Sequence, residues 1–244
     1  DTIAPWRAGL WRSKLNEVSW KAGGTGCIVQ GGRIVYEWGD TTARNDAASS
    51  TKPVYTYLAF QAIEAGRLAS LEERVEKWMP EIGELNAALG HKDRAITFHH
   101  LLSQTSGYGL EETPGEAFAY NGYGTGLLGY LLYHRVFECP PGEDNALLNG
   151  AVLGGAIGFE HGTVVTHKRS RPGRIRISVR DQARFMLLYL RRGSWDGRQV
   201  VRPDLYEQQR GYGTPADLPR TSGREAETLE GVETYGGGKN LKNH

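Results

Sequence analysis

The chain has 244 residues, of which 39% are hydrophobic and 23% charged, and its 29 basic and 28 acidic side chains leave a formal charge of +1. That length suits one large domain or two lobes around a substantial core, and the near-neutral balance singles out no polyanionic partner. No apolar run approaches the roughly 18 residues that a membrane-spanning helix needs.

Trp6, Leu10, Trp11, Leu15, Val18 and Trp20 fall at helical spacing before the Gly23-Gly24 break, which predicts an N-terminal helix with its tryptophans packed. The chain starts at Asp1 without an apolar leader, as expected if a leader has been removed or if the chain begins inside a longer one. Thr25–Gln30 and Arg33–Trp38 are β-like runs joined by Gly31-Gly32, a strong hairpin signal. A lone hairpin is marginal in water, so this one is expected to pack against the Ser49 helix, in a sheet whose other strands are missing from this chain. Cys27 and Cys139 neither force nor exclude a disulfide, and Cys27, inside an apolar run, reads as a small core residue.

After a polar loop, Ala48-Ser49-Ser50-Thr51-Lys52-Pro53 opens a helix that runs to Gly66, a natural C-cap. Pro53 sits in the first turns, where its missing N–H costs little. Val54, Leu58, Ala62 and Ile63 give this helix a core-facing stripe. Three residues of helix bring Ser49 and Lys52 to one face. A serine hydroxyl needs a base within hydrogen-bond reach to act as a nucleophile, and a lysine can serve if burial or nearby positive charge lowers its pKa. Ser49 and Lys52 are therefore the candidate nucleophile and base. By itself the S-x-x-K spacing is far more often that of an ordinary capped helix, and the rest of the chain is what favours chemistry.

Farther on, Ser70-Leu71-Glu72-Glu73 has the pattern of a capping box for a short helix stopping at Pro80. Thr97 to Leu102 begins another helix, closed by Ser106-Gly107. A loop through Pro114-Gly115-Glu116 ends at Tyr120, and a helix follows from about Tyr123 to Phe137. Pro140-Pro141-Gly142 interrupts, and residues 149–163 are glycine-rich without a period. Ile175 and Ile177 suggest one further strand, leading to Ser178, the cap of a helix through Leu190. Trp195-Asp196-Gly197-Arg198 is a tight turn, and the chain beyond about residue 211 is polar and glycine-rich.

Five segments, in order, resemble the serine β-lactamase-related superfamily, which includes class C β-lactamases, D-alanyl-D-alanine carboxypeptidases and related esterases. They are the hairpin Cys27–Trp38, the Ala48–Lys52 string, the Ile96–Gly107 segment with its Leu-Leu-Ser-Gln-Thr-Ser-Gly, the Pro114–Asn121 loop with its Pro-Gly and Phe-x-Tyr, and Ile177–Phe185. The likeness spans about residues 25 to 210. It implies an α/β (α+β) fold of the β-lactamase/transpeptidase type, a sheet flanked by helices plus a helical lobe. Residues 1–66 would hold the hairpin and nucleophile helix, 67–170 the helical lobe, and 171–244 the return to the sheet and an unfinished tail. It also implies that Ser49 forms an acyl-enzyme with a small-molecule ester, amide or β-lactam, that Lys52 takes the proton or shapes the field, and that Tyr120 relays protons. A secreted or periplasmic setting would follow from the same likeness.

Two departures stand out. The family's Tyr-x-Asn ends here in Gly122, so a side-chain amide could come only from Asn121, one position early, and Asn121 and Gly122 are the candidate binding residues. The late Lys-Thr-Gly or His-x-Gly motif has no match; Thr221-Ser222-Gly223 and His161-Gly162 are the nearest strings, and the second precedes the Ser178 helix. The expectation is a chain that stops short of the strands completing the sheet, with one oxyanion donor lacking at a cost of about 2.7–4 kcal/mol. Asn145-Ala146-Leu147-Leu148-Asn149 carries a Leu-Asn with Asn145 where class A enzymes have a glutamate, which favours the tyrosine-using branch.

Competing readings are a catalytically impaired, penicillin-binding-like ligand or partner binder, and a nucleic-acid surface on the basic run Lys168 to Arg192. Arg180 and Arg184 lie i,i+4 on one helix without interleaved stacking aromatics, so a solvated face or an anion-attracting patch is the expectation there. His99, His100, His134, His161 and His167 match no zinc spacing, so neither a metal nor another cofactor is expected. Tyr108, Tyr123 and Tyr130 are read as packing residues.

Overall fold

A computed structural model describes residues 5–168, 171–211, 214–221 and 224–232. Helix α1 (Pro5–Ala22) leads into the antiparallel hairpin β1 (Gly26–Gln30) and β2 (Arg33–Trp38). Gly31 and Gly32 both take positive φ, 58° and 79°, the two-residue turn that matches strand twist. A short strand β3 (Asn45–Asp46) precedes a 3-10 turn, Ala48–Thr51, and helix α2 (Lys52–Glu64). Gly66 closes α2: its N–H reaches Ile63 O and that of Arg67 reaches Ala62 O, a Schellman pattern. Tyr55, Tyr57, Leu58, Ala59 and Phe60 of α2 are all fully buried, so this helix is the axis of the core.

The segment from Ser70 to Pro80 corrects the expectation of a capped α-helix. It holds a single 3-10 turn, Val75–Lys77. The Glu73 carboxylate goes instead to Ala69 N–H, Trp78 Nε1 and Lys77, while Arg74 is extended and bridges Thr97. Helix α3 (Phe98–Leu102) has the capping box, made by Thr97 with His100. Helix α4 (Gly122–Tyr130) runs on as a π-helical stretch, Leu131–Val136. Two short helices follow, α5 (Asp144–Asn149) and α6 (Gly154–Ile157).

Strand β4 (Val164–Lys168) pairs with β5 (Arg171–Ile177), which pairs on its other side with β3, giving the order β3-β5-β4. Helix α7 (Val179–Leu190) is capped by Ser178, whose Oγ accepts from Asp181 N–H. A small hairpin, β6 (Ser194–Trp195) and β7 (Arg198–Gln199), and helix α8 (Pro203–Gly211) follow.

The β1–β2 hairpin packs against α7, not chiefly against α2 as expected. A bidentate Arg180–Glu37 pair (2.8 and 2.9 Å) ties the two together. Cys27 is accordingly half-buried at this seam, not a core residue, and both cysteines are free thiols. Trp11 and Trp20 are 62% and 83% exposed, against the packing expected of them. Among the described residues, no helix is long and apolar enough to cross a membrane.

Candidate active site

The turn that carries Ser49 is built from both sides. Ala47 N–H donates to Ile175 O at 2.9 Å, and Ile175 N–H donates to the buried Thr51 Oγ1 at 3.1 Å, so β5 grips the turn before and after Ser49. Deeper in, Tyr55 OH donates to Gly173 O and Tyr189 OH donates to Pro53 O. Ala48 sits at φ 46°, left-handed for a residue with a Cβ, which costs about 1–2 kcal/mol. That kink leaves Ser49 exposed at the head of a rigid, buried helix.

Tyr120 arrives on the loop that precedes α4. Asn121 caps α4, its Oδ1 accepting from Tyr123 and Gly124 N–H while its Nδ2 donates to Ala119 O. Ala119 N–H is held by Gln104 O. The Thr-Ser-Gly turn behind it needs its glycine: Gly107 has φ 61°, and a Cβ there would lie 2.0 Å from Glu112 O. Lys92, buried against Asp93, donates to Gly107 O at 3.0 Å and fixes that turn.

The three predicted groups meet. Ser49 Oγ and Tyr120 OH form a short hydrogen bond, and Lys52 Nζ donates to the same phenol oxygen at 2.9 Å, lying 4.3 Å from the ring centroid. Burial would raise the Tyr120 pKa. The hydrogen bonds with Lys52 and Ser49 and the positive charges of Lys52 and Arg174 outweigh it, holding the phenol below its usual range. More of such a group is phenolate near neutral pH than of a free tyrosine, and the phenolate is the form that can accept a proton from a neighbouring hydroxyl. On its far side lies a cavity of about 390 Å³, with Thr56, Gln104, Phe118 and Thr214 on its walls, within the size range of small-molecule pockets. A larger cavity, about 520 Å³, lies between the hairpin and α7 and touches none of the three groups.

The other candidates fall elsewhere. Asn121 and Gly122 adjoin Tyr120, with the Asn121 amide turned to the start of α4. His161 is structural: its N–H and those of Glu160 and Gly162 donate to the buried Asp181 carboxylate, and its ring meets Ser178. Thr221 is described, whereas Ser222 and Gly223 lie outside the described residues. Asn145 and Asn149 accept from the N–H groups of Val165 and Thr163, anchoring the approach to β4. Tyr108 is buried, accepting from Leu229 N–H. Of the basic run, Arg174 pairs with Asp46, Arg180 with Glu37, Arg184 with Glu160 and Arg192 with Glu207, and Arg171 stacks on Tyr130; Arg169 is outside the described residues. No cluster of three or more histidine, cysteine or carboxylate ligands occurs among the described residues.

Sequence reasoning missed the chain over residues 214–221 and 224–232. It lies against the Tyr120 loop, with Phe118 N–H on Pro219 O, Thr221 N–H on Phe118 O and Ala226 N–H on Gly109 O. Its backbone bonds leave no periodic pattern in the residues, so no local signal marks it.

A family model described as β-lactamase matches residues 14–135. Among solved structures, the chain is similar to a protein assigned as a β-lactamase from Bacteroides dorei, at 20% identity and TM-score 0.61, covering 80% of this chain and 68% of that one. It is also similar to a protein assigned as a 6-aminohexanoate-dimer hydrolase from Bacillus anthracis, at 18% identity and TM-score 0.55, covering 80% and 61%. A third is the β-lactamase/D-alanine carboxypeptidase from Pseudomonas syringae, at 17% identity and TM-score 0.56, covering 80% and 67%. The chain thus spans about two thirds of the length of these structures, and the likeness is one of fold. A search of curated protein sequences gave no match.

Proposed function

Because the chain belongs to the β-lactamase family, we propose that it is a serine hydrolase in which Ser49 attacks the carbonyl carbon of an ester, amide or β-lactam. The observation that carries this reading is the hydrogen-bonded chain Ser49–Tyr120–Lys52, closed between residues 71 and 68 positions apart. As phenolate, Tyr120 takes the Ser49 proton while the Oγ–carbonyl bond forms, then gives it to the leaving group as the bond between that group and the carbonyl carbon breaks. Ser49 stays acylated until water attacks the acyl carbon and Oγ departs with a proton. Lys52 donates to the phenol oxygen and stabilises its anion, so it shapes the field in preference to being the first acceptor. The Ser49 backbone N–H, at the start of the helix, stabilises the oxyanion. Asn121 and Gly122 serve by fixing Tyr120 against α4, and the cavity beyond Tyr120 receives part of the small-molecule substrate.

The test is reaction of the protein with a fluorophosphonate probe and a fluorescent penicillin, with adducts mapped by mass spectrometry. The reading expects a covalent adduct on Ser49 that Ser49→Ala abolishes. A second reading, a ligand binder without turnover, is favoured by Gly122 standing where the family carries an amide. Binding of penicillin without any covalent adduct on folded protein would establish that reading in place of the first.

A further inference from the structure

A left-handed alanine next to a proposed nucleophile needs something to hold it. Ala48 N–H donates to Asp46 Oδ1 at 2.7 Å, an Asx-type turn, and Ser50 N–H closes onto Ala47 O. The second oxygen of Asp46 accepts from Arg174 Nη1 at 3.3 Å. These two residues are 128 positions apart and meet only through the sheet: Asp46 of β3 is paired with Arg176 of β5, and the next backbone bond, Ala47 to Ile175, continues that register. One more step along it sets Ala48 opposite Arg174.

We propose that Asp46 and Arg174 are positioning residues for Ser49: Asp46 clamps the Ala48 turn in its left-handed form, and Arg174 holds the clamp from β5. The idea rests on the reading of Ser49 given above and extends it to groups that do not touch the substrate. Arg174 has a second effect, because its positive charge, with that of Lys52, acts on the Tyr120 phenol. The pair therefore couples the geometry of the hydroxyl to the state of the group that takes its proton.

The experiment measures second-order labelling of Ser49 by a fluorophosphonate, in which a bond from Oγ to phosphorus forms, the P–F bond breaks, fluoride leaves and the hydroxyl proton passes to Tyr120. Asp46→Ala is expected to slow labelling at least tenfold, while Asp46→Asn, which keeps an acceptor oxygen, stays within about threefold of wild type. Ala48→Gly in the Asp46→Ala background is expected to restore most of the rate, because glycine holds positive φ unaided. Arg174→Ala is expected to slow labelling and to move the pH midpoint of its rate upward. Hydrogen exchange of residues 46–50 is followed in parallel and is expected to quicken at least tenfold in Asp46→Ala. Normal labelling by Asp46→Ala, or failure of Ala48→Gly to rescue a folded Asp46→Ala protein, overturns the proposal. Wild type that takes no label overturns the nucleophile reading, and unchanged exchange in Asp46→Ala then separately overturns the clamp.

Discussion

Replacing Tyr120 by phenylalanine removes one oxygen and isolates its contribution. The ring remains, so the contact of Lys52 with its face, 4.3 Å from the centroid, survives at about 0.5–1 kcal/mol and keeps the amine in place. What disappears is the acceptor for Ser49 and for Lys52. A positioned general base is worth roughly 10²–10⁴ in rate, or about 2.7–5.4 kcal/mol of barrier at about 1.36 kcal/mol per decade. Stability should fall less, by about 1–3 kcal/mol, because two hydrogen bonds at a partly open site contribute about 0.5–1.5 kcal/mol each. The assay is stopped-flow acylation by a p-nitrophenyl ester across pH 6–11, with thermal unfolding of the same samples. In wild type the rate climbs with pH as the phenol deprotonates and levels off at a midpoint below 10.0, because the phenol is held below its usual value. Tyr120→Phe should lose 10²–10⁴-fold and lose that rising limb. A variant within tenfold of wild type at pH 8, with the limb intact, refutes Tyr120 as the proton acceptor.

Lys52→Met removes the strongest influence lowering the Tyr120 pKa while burial still raises it, so the pH midpoint of acylation should move upward. Asn121→Ala strips the cap of α4 and should cost about 1 kcal/mol, seen as a lower urea midpoint with an unchanged slope. Asp181→Ala orphans the N–H groups of Glu160, His161 and Gly162 around a fully buried carboxylate position; at about 1–3 kcal/mol for each, a loss of about 3 kcal/mol or more should appear in chemical denaturation.

What the residues alone revealed divides along a physical line. The Gly31-Gly32 turn, the end of α2 at Gly66, the helix start at Thr97 and the cap Ser178 were all legible, because each is decided within a few residues by φ freedom or a side-chain acceptor. Ser49, Lys52 and Tyr120 could be nominated as candidates from spacing and resemblance, and the fold brings their side chains together. Strand β4 was not legible: a register shift between Val165 and His167 breaks the period-2 alternation that would announce it. The misread segment at Ser70 had the right capping letters, but tertiary pairing of Arg74 with Thr97 drew the backbone out of helix. Apolar alternation in the hairpin marks a covered face without naming the cover, which is α7. The Asp46–Arg174 pair could not be found without the sheet, since no local pattern joins charges that far apart in sequence.

The central claim is that hydroxyl, phenol and amine act as one catalytic unit, and intact-protein mass spectrometry after rapid mixing with a p-nitrophenyl ester tests it most directly. The account predicts a single acyl adduct, mapped to Ser49, formed in wild type, slowed at least a hundredfold by Tyr120→Phe and absent in Ser49→Ala. An adduct on any other residue, or equal rates in wild type and Tyr120→Phe, would contradict it.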